Sequence, residues 1–73
     1  MEEIEMKFVE IPAIVINGDW ENPIYQNMKV TVILNNGEKF QGVFVGNFKD
    51  EITIEKENGT HYDYRADDIK SIY

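Results

Sequence analysis

Seventy-three residues make one small domain, of a size that buries only ~60% of the surface its unfolded chain exposes, so its core usually needs a supplement. Cysteine is absent and His61 is the only histidine, which excludes disulfides, thiolate metal sites and histidine clusters and leaves oligomerisation as that supplement. A net charge of −7 opposes non-specific attraction to a polyanion, and no apolar run approaches the ~18 residues that would span a bilayer, so a soluble, cytoplasmic protein that avoids membranes is expected.

The acidity is uneven. Residues 1–28 hold six acids and one base, Lys7, whereas residues 29–73 hold eight acids and six bases. Within the acidic leader, Ile4, Met6 and Phe8 alternate with Glu3, Glu5 and Lys7 until the phase slips at Val9, and Pro12 precedes the apolar run Ala13, Ile14, Val15 and Ile16. One or two strands are predicted, with a bulge near Pro12, because proline cannot donate to a ladder. Ile4, Met6, Phe8, Ile11, Ile14, Val15 and Ile16 are too apolar for a solvated arm, so the leader is expected to pack on the rest of the fold. Trp20 follows in a polar stretch, either as the cap on an open end of the fold, which is the favoured assignment, or as an anchor for a partner. Asn22 and Pro23 suit the cap and first position of a single helical turn.

From residue 29 onward the pattern is that of strands. Val30, Val32 and Leu34 share one face, with Thr31 and Ile33 on the other; after Asn36 and Gly37, residues Phe40, Gly42 and Phe44 alternate with Gln41, Val43 and Val45. Ile52 and Ile54 continue with Thr53 and Glu55 opposite, Tyr62 and Tyr64 follow Asn58 and Gly59, and residues 69–73 form a terminal strand. Three Asn-Gly pairs, at 17–18, 36–37 and 58–59, suit the positive φ values of type I′ hairpin turns. Five strands in about 45 residues, with a glycine inside the second, predict an all-β fold: a small closed or nearly closed five-stranded SH3-like barrel over residues 29–73, with an extra N-terminal β-segment over residues 1–28.

Leu34, Gly37, Phe40, Gly42 and Phe44, followed by Arg65, Ala66, Asp67, Asp68, Ile69, Lys70, Ser71 and Ile72, resemble the two motifs of the Sm and Sm-like (LSm) proteins. Phe48 meets the family phenylalanine if one residue is inserted after Gly42; Lys49 then stands at the family aspartate, Ile52 at the methionine and Thr53 at the asparagine. In the second motif Ala66 replaces the family glycine and Arg65 keeps the arginine. The resemblance implies a barrel, rings built by head-to-tail strand pairing, and RNA contact by the loops around Phe48, Lys49, Thr53 and Arg65. Arginine suits such contact chemically, since its plane stacks on bases and its fork holds phosphate.

Other residues carry less. Arg65 can equally pair with Asp63, Asp67 or Asp68, Lys49, Asp50 and Glu51 can form an ordinary solvated turn, and His61 has no second ligand with which to hold a metal. No nucleophile adjoins a base, and Asp67 and Asp68, as neighbours on a strand, would point to opposite faces. The expectation is a non-enzymatic protein without cofactor or metal, binding RNA or a nucleotide-type ligand as a homo-oligomer. The alternative is a small acidic module, of the phage or mobile-element type, that binds or inhibits another protein.

Overall fold

Alternating apolar residues joined by short turns build the molecule almost entirely from strands. The computed structural model describes residues 4–9 and 12–73, which form two antiparallel sheets and one 3-10 turn. The first sheet has the order β1 (Met6–Val9), β2 (Ala13–Ile16), β3 (Ile24–Tyr25). The second contains β4 (Lys29–Leu34), β5 (Lys39–Phe48), β6 (Glu51–Glu55), β7 (His61–Arg65) and β8 (Ile69–Ile72), in the order β7-β6-β5-β4-β8. No described helix is long and apolar enough to cross a membrane.

One core joins the two sheets. Val30, Val32 and Leu34 from β4 pack with Phe44, Ile52, Ile54, Ile69 and Ile72, and with Ile14 and Ile24 of the first sheet; Ile4, Met6 and Ile16 cover its margin. In β2, Ala13, Ile14 and Val15 are buried in succession, so this central strand is covered on both faces, as its unbroken apolar run implies. The chain passes between the sheets through backbone bonds, with Asn27 N–H donating to the Phe44 carbonyl and Phe44 N–H to the Met28 carbonyl.

The second sheet is not closed. β7 and β8 lie at its opposite edges and are connected by the 3-10 turn Ala66–Asp68, with no ladder between them, so of the expected closed or nearly closed barrel the closed form is excluded, while the all-β class holds. Gly42 permits a close approach of β6 to β5. A Cβ there would collide with Cγ2 of Ile54 and lie 2.8 Å from the Glu55 carbonyl oxygen, so the neighbouring strand approaches where no side chain fits. Gly42→Ala is expected to cost about 1–3 kcal/mol, because the backbone oxygen can yield only by moving β6. Thermal unfolding measures this, and an unchanged midpoint would refute the close approach.

β5 carries one extra residue. Phe44 pairs with Ile54 but Gly46 with Thr53, leaving Val45 as a bulge. The bulge reverses the strand's facing: Asn47 now stands opposite buried Ile52, and Phe48 turns to the outer face. Ile33 and Val43, on the face away from the core, are half-buried.

Several local expectations are corrected. No helical turn follows Pro23; Ile24 and Tyr25 instead pair with Ile14 and Ala13. Of the Asn-Gly pairs, only Asn17 and Gly18 both take positive φ, 51° and 74°, in a turn closed by Asp19 N–H to the Ile16 carbonyl. At Gly37 and Gly59 the glycine alone is left-handed, and the preceding asparagine side chain accepts from the N–H two residues on, of Glu38 and Thr60. Both turns thus enclose three residues between paired strands, the arrangement of a type I turn followed by a glycine bulge rather than type I′. Asp67 and Asp68 lie in the 3-10 turn, not on a strand. The expected bulge near Pro12 falls partly on Glu10 and Ile11, which lie outside the described residues.

Candidate ligand-binding corner

The turn after β5 has only two residues, Lys49 and Asp50, between the paired residues Phe48 and Glu51. Such a tight connection forces Lys49 to φ 57°, a left-handed conformation that costs a non-glycine residue on the order of 1 kcal/mol. Strain of this kind at a surface turn singles the position out.

Register then brings the candidates together. Phe48 is opposite Glu51, and Glu51 is opposite Arg65, so Phe48, Glu51 and Arg65 form one row across β5, β6 and β7 on the outer face. Two strand spacings separate the outer members by about 10 Å. Phe48 is 74% exposed, with the Lys49 ammonium 5.5 Å from its ring centroid. Gly46, Thr53 and Asp63 make the next row, in which the Thr53 hydroxyl donates to the Asp63 carboxylate. Thr53 therefore shares the face, but its hydroxyl is already engaged.

Arg65 pairs with Asp50, Nη2 to Oδ2 at 3.5 Å, rather than with any of the three aspartates nearer in sequence. Both side chains are exposed, and such a pair is worth at most about 1 kcal/mol, so the guanidinium is available to a competing anion. The loop carrying it is anchored by Ala66 N–H donating to the Asp50 carbonyl at 2.8 Å. Chemically, the corner combines one open aromatic face with two cations. Asp50 and Glu51 oppose them, so any attraction to phosphate is short-range and modest.

Two further sites were expected to matter or emerged only from the fold. Trp20 is 58% exposed, in the turn after β2 and outside the buried core. A second aromatic cluster comprises Phe40 and Tyr64, stacked at 5.1 Å between centroids, with the Lys56 ammonium 4.1 Å from the Phe40 centroid and 4.4 Å from that of Tyr62. Hydrogen bonding to Tyr64 raises the Lys56 pKa above the ordinary lysine value, against partial desolvation, with Tyr64, Glu38 and Tyr62 adding attraction. Alternation in the sequence places Phe40, Tyr62 and Tyr64 on the core-side faces of their strands, opposite Val32, Ile54 and Ile52; that they meet around Lys56 is seen only in the fold. His61, exposed, lies 3.9 Å from Glu55, and no group of three metal-ligating side chains converges among the described residues.

Neither a protein-family model, nor a curated protein, nor a solved structure matches the chain.

Proposed function

We propose that this chain is a non-enzymatic, Sm-like binding protein that acts as a homo-oligomer and holds RNA or a nucleotide-type ligand at the Phe48 corner. The observation that carries this reading is the single outer-face row in which Phe48 offers a stacking surface and Arg65 a guanidinium, with Lys49 at the adjoining turn. A base stacked on Phe48 leaves its phosphate within reach of the two cations, and the ligand displaces Asp50 from Arg65. The bulge at Val45 supports the motif alignment, since it supplies one additional residue between Gly42 and Phe48. Oligomerisation is supported by the outer edges of β7 and β8, which pair with no strand among the described residues and can add to one another head to tail in successive copies.

Titration of a labelled single-stranded oligouridylate at low salt, followed by polarisation, tests the reading. Arg65→Ala is expected to cost about 1–3 kcal/mol of binding with the fold intact, and Phe48→Ala a similar amount, with a shallow salt dependence. Light scattering of the same samples should show species above 8.5 kDa at micromolar concentration. Absence of binding to oligonucleotides and free nucleotides alike would reject the ligand, and a monomer at every concentration would reject the assembly.

A further inference from the structure

A second surface, sharing no residue with the Phe48 corner, lies beneath the loop connecting β2 to β3. A cavity of about 660 Å³ opens there, walled by Ile16, Ile24, Met28, Ile72 and the rings of Tyr25 and Tyr73. Its volume falls within the range of small-ligand and side-chain pockets. Tyr25, Met28 and Tyr73 all stand exposed, so three of the six exposed large hydrophobic side chains among the described residues line this one cavity, and a fourth, Trp20, belongs to the loop above it. Exposed apolar surface concentrated in this way on a small domain marks an interaction site.

The rim has one sign of charge. Asp19 and Glu21 line the opening, and among the described residues no lysine, arginine or histidine does. The loop is held by its own hydrogen bonds: Asp19 N–H donates to the Ile16 carbonyl at 3.0 Å, and Asn22 Nδ2 donates to Asp19 Oδ2 at 3.2 Å. Rim and walls are therefore shaped before a partner arrives, which lowers the ordering cost of association.

We propose that this cavity is a docking site for a basic, amphipathic segment of a partner protein. An arginine or lysine of that segment lies on the tyrosine rings with its charge facing Asp19 and Glu21, and an adjacent aliphatic side chain fills the Ile24, Met28 and Ile72 floor. Charge chooses the occupant. Nucleic acid and anionic lipid are repelled by the rim, and a second copy docked cavity to cavity would bring the same two carboxylates against it.

The test uses the full chain and an acetylated, amidated hexapeptide of alternating Arg and Leu, with a control in which Gln replaces each Arg. Binding is followed by emission of Trp20, the only tryptophan, and by backbone amide shifts in NMR. The Arg peptide should bind saturably, shift amides of residues 16–28 and 72–73, and bind at least about tenfold more tightly than the Gln peptide. Asp19→Asn combined with Glu21→Gln should weaken binding about tenfold and flatten its salt dependence, with unchanged thermal unfolding because both side chains are exposed. Arg65→Ala should leave peptide binding untouched, which keeps this result separate from the outcome with RNA. Equal affinity for the Arg and Gln peptides, shifts centred on the Phe48 corner, an unaffected double variant, or no binding at about 1 mM peptide would each overturn the proposal. So would amide shifts of residues 16–28 that follow protein concentration without peptide, since the occupant would then be a second copy; shifts confined to residues 69–73 would instead report pairing at the edge of β8.

Discussion

Replacing Phe44 with Ala should bring the protein to the edge of unfolding at room temperature. Phe44 is fully buried in the centre of β5, where it is the largest fully buried side chain among the described residues and packs in the cluster with Ile54, its partner across the strands. Removing the ring costs about 3–5 kcal/mol, from lost transfer free energy together with the cavity left behind. A chain of 73 residues has a total stability of roughly 4–11 kcal/mol, so the loss consumes a large part of it. Denaturation in urea, with a slope of about 1 kcal/mol per molar for so small a domain, should show the midpoint fall by roughly 3–5 M. Phe44→Leu should fall much less, because most of the volume is kept. A loss below about 1 kcal/mol for the alanine variant would mean that the core lies elsewhere.

Removal of residues 1–22 should be at least as damaging. The truncation deletes β1 and β2, and with them Ile14, which is completely buried against the five-stranded sheet, and the marginal cover given by Ile4, Met6 and Ile16. Burying one such isoleucine is worth about 1.5–3 kcal/mol, and its loss also exposes the apolar side chains it covers, among them residues of β4 and β8. The truncated chain is expected to be aggregation-prone and to lack a cooperative thermal transition. Circular dichroism melting of the two forms decides the matter: if the chain beginning at Pro23 were as heat-stable as the whole, the first sheet would be an accessory to a self-sufficient unit.

These two results bear on what holds the candidate corner in place. Phe48, Lys49 and Arg65 sit at the ends of β5 and β7, strands whose inner faces depend on Phe44, Ile52 and Ile54. The corner is built on regular strands, and Phe48→Ala or Arg65→Ala removes exposed atoms only. A loss of binding in those variants can then be separated from a loss of fold, whereas the same loss in Phe44→Ala cannot.

Strands were legible in the chain because a period of two is a local property: Val30, Val32 and Leu34, or Ile52 and Ile54, declare a buried face without reference to anything distant. The same holds for the apolar run at Ala13, Ile14 and Val15 and for the positions of the turns. Pairing, closure and facing are not local. Whether β7 meets β8 depends on accumulated coiling across five strands, and the 3-10 turn at Ala66–Asp68 joins those edges without pairing them. The bulge at Val45 is visible only against the register of β6, yet it alone turns Phe48 outward into the row with Arg65. Arg65 takes Asp50 as its partner because adjacent strand ends bring together residues fifteen positions apart, nearer in space than the aspartates beside it. The cavity under the Trp20 loop has the same origin, since its walls come from β2, β3 and β8. Sequence by itself therefore determined which residues are extended and which are apolar, through steric and hydrophobic preferences acting over a few residues. Tertiary structure decided which of them share a surface, because register and coiling are set by the packing of the whole core.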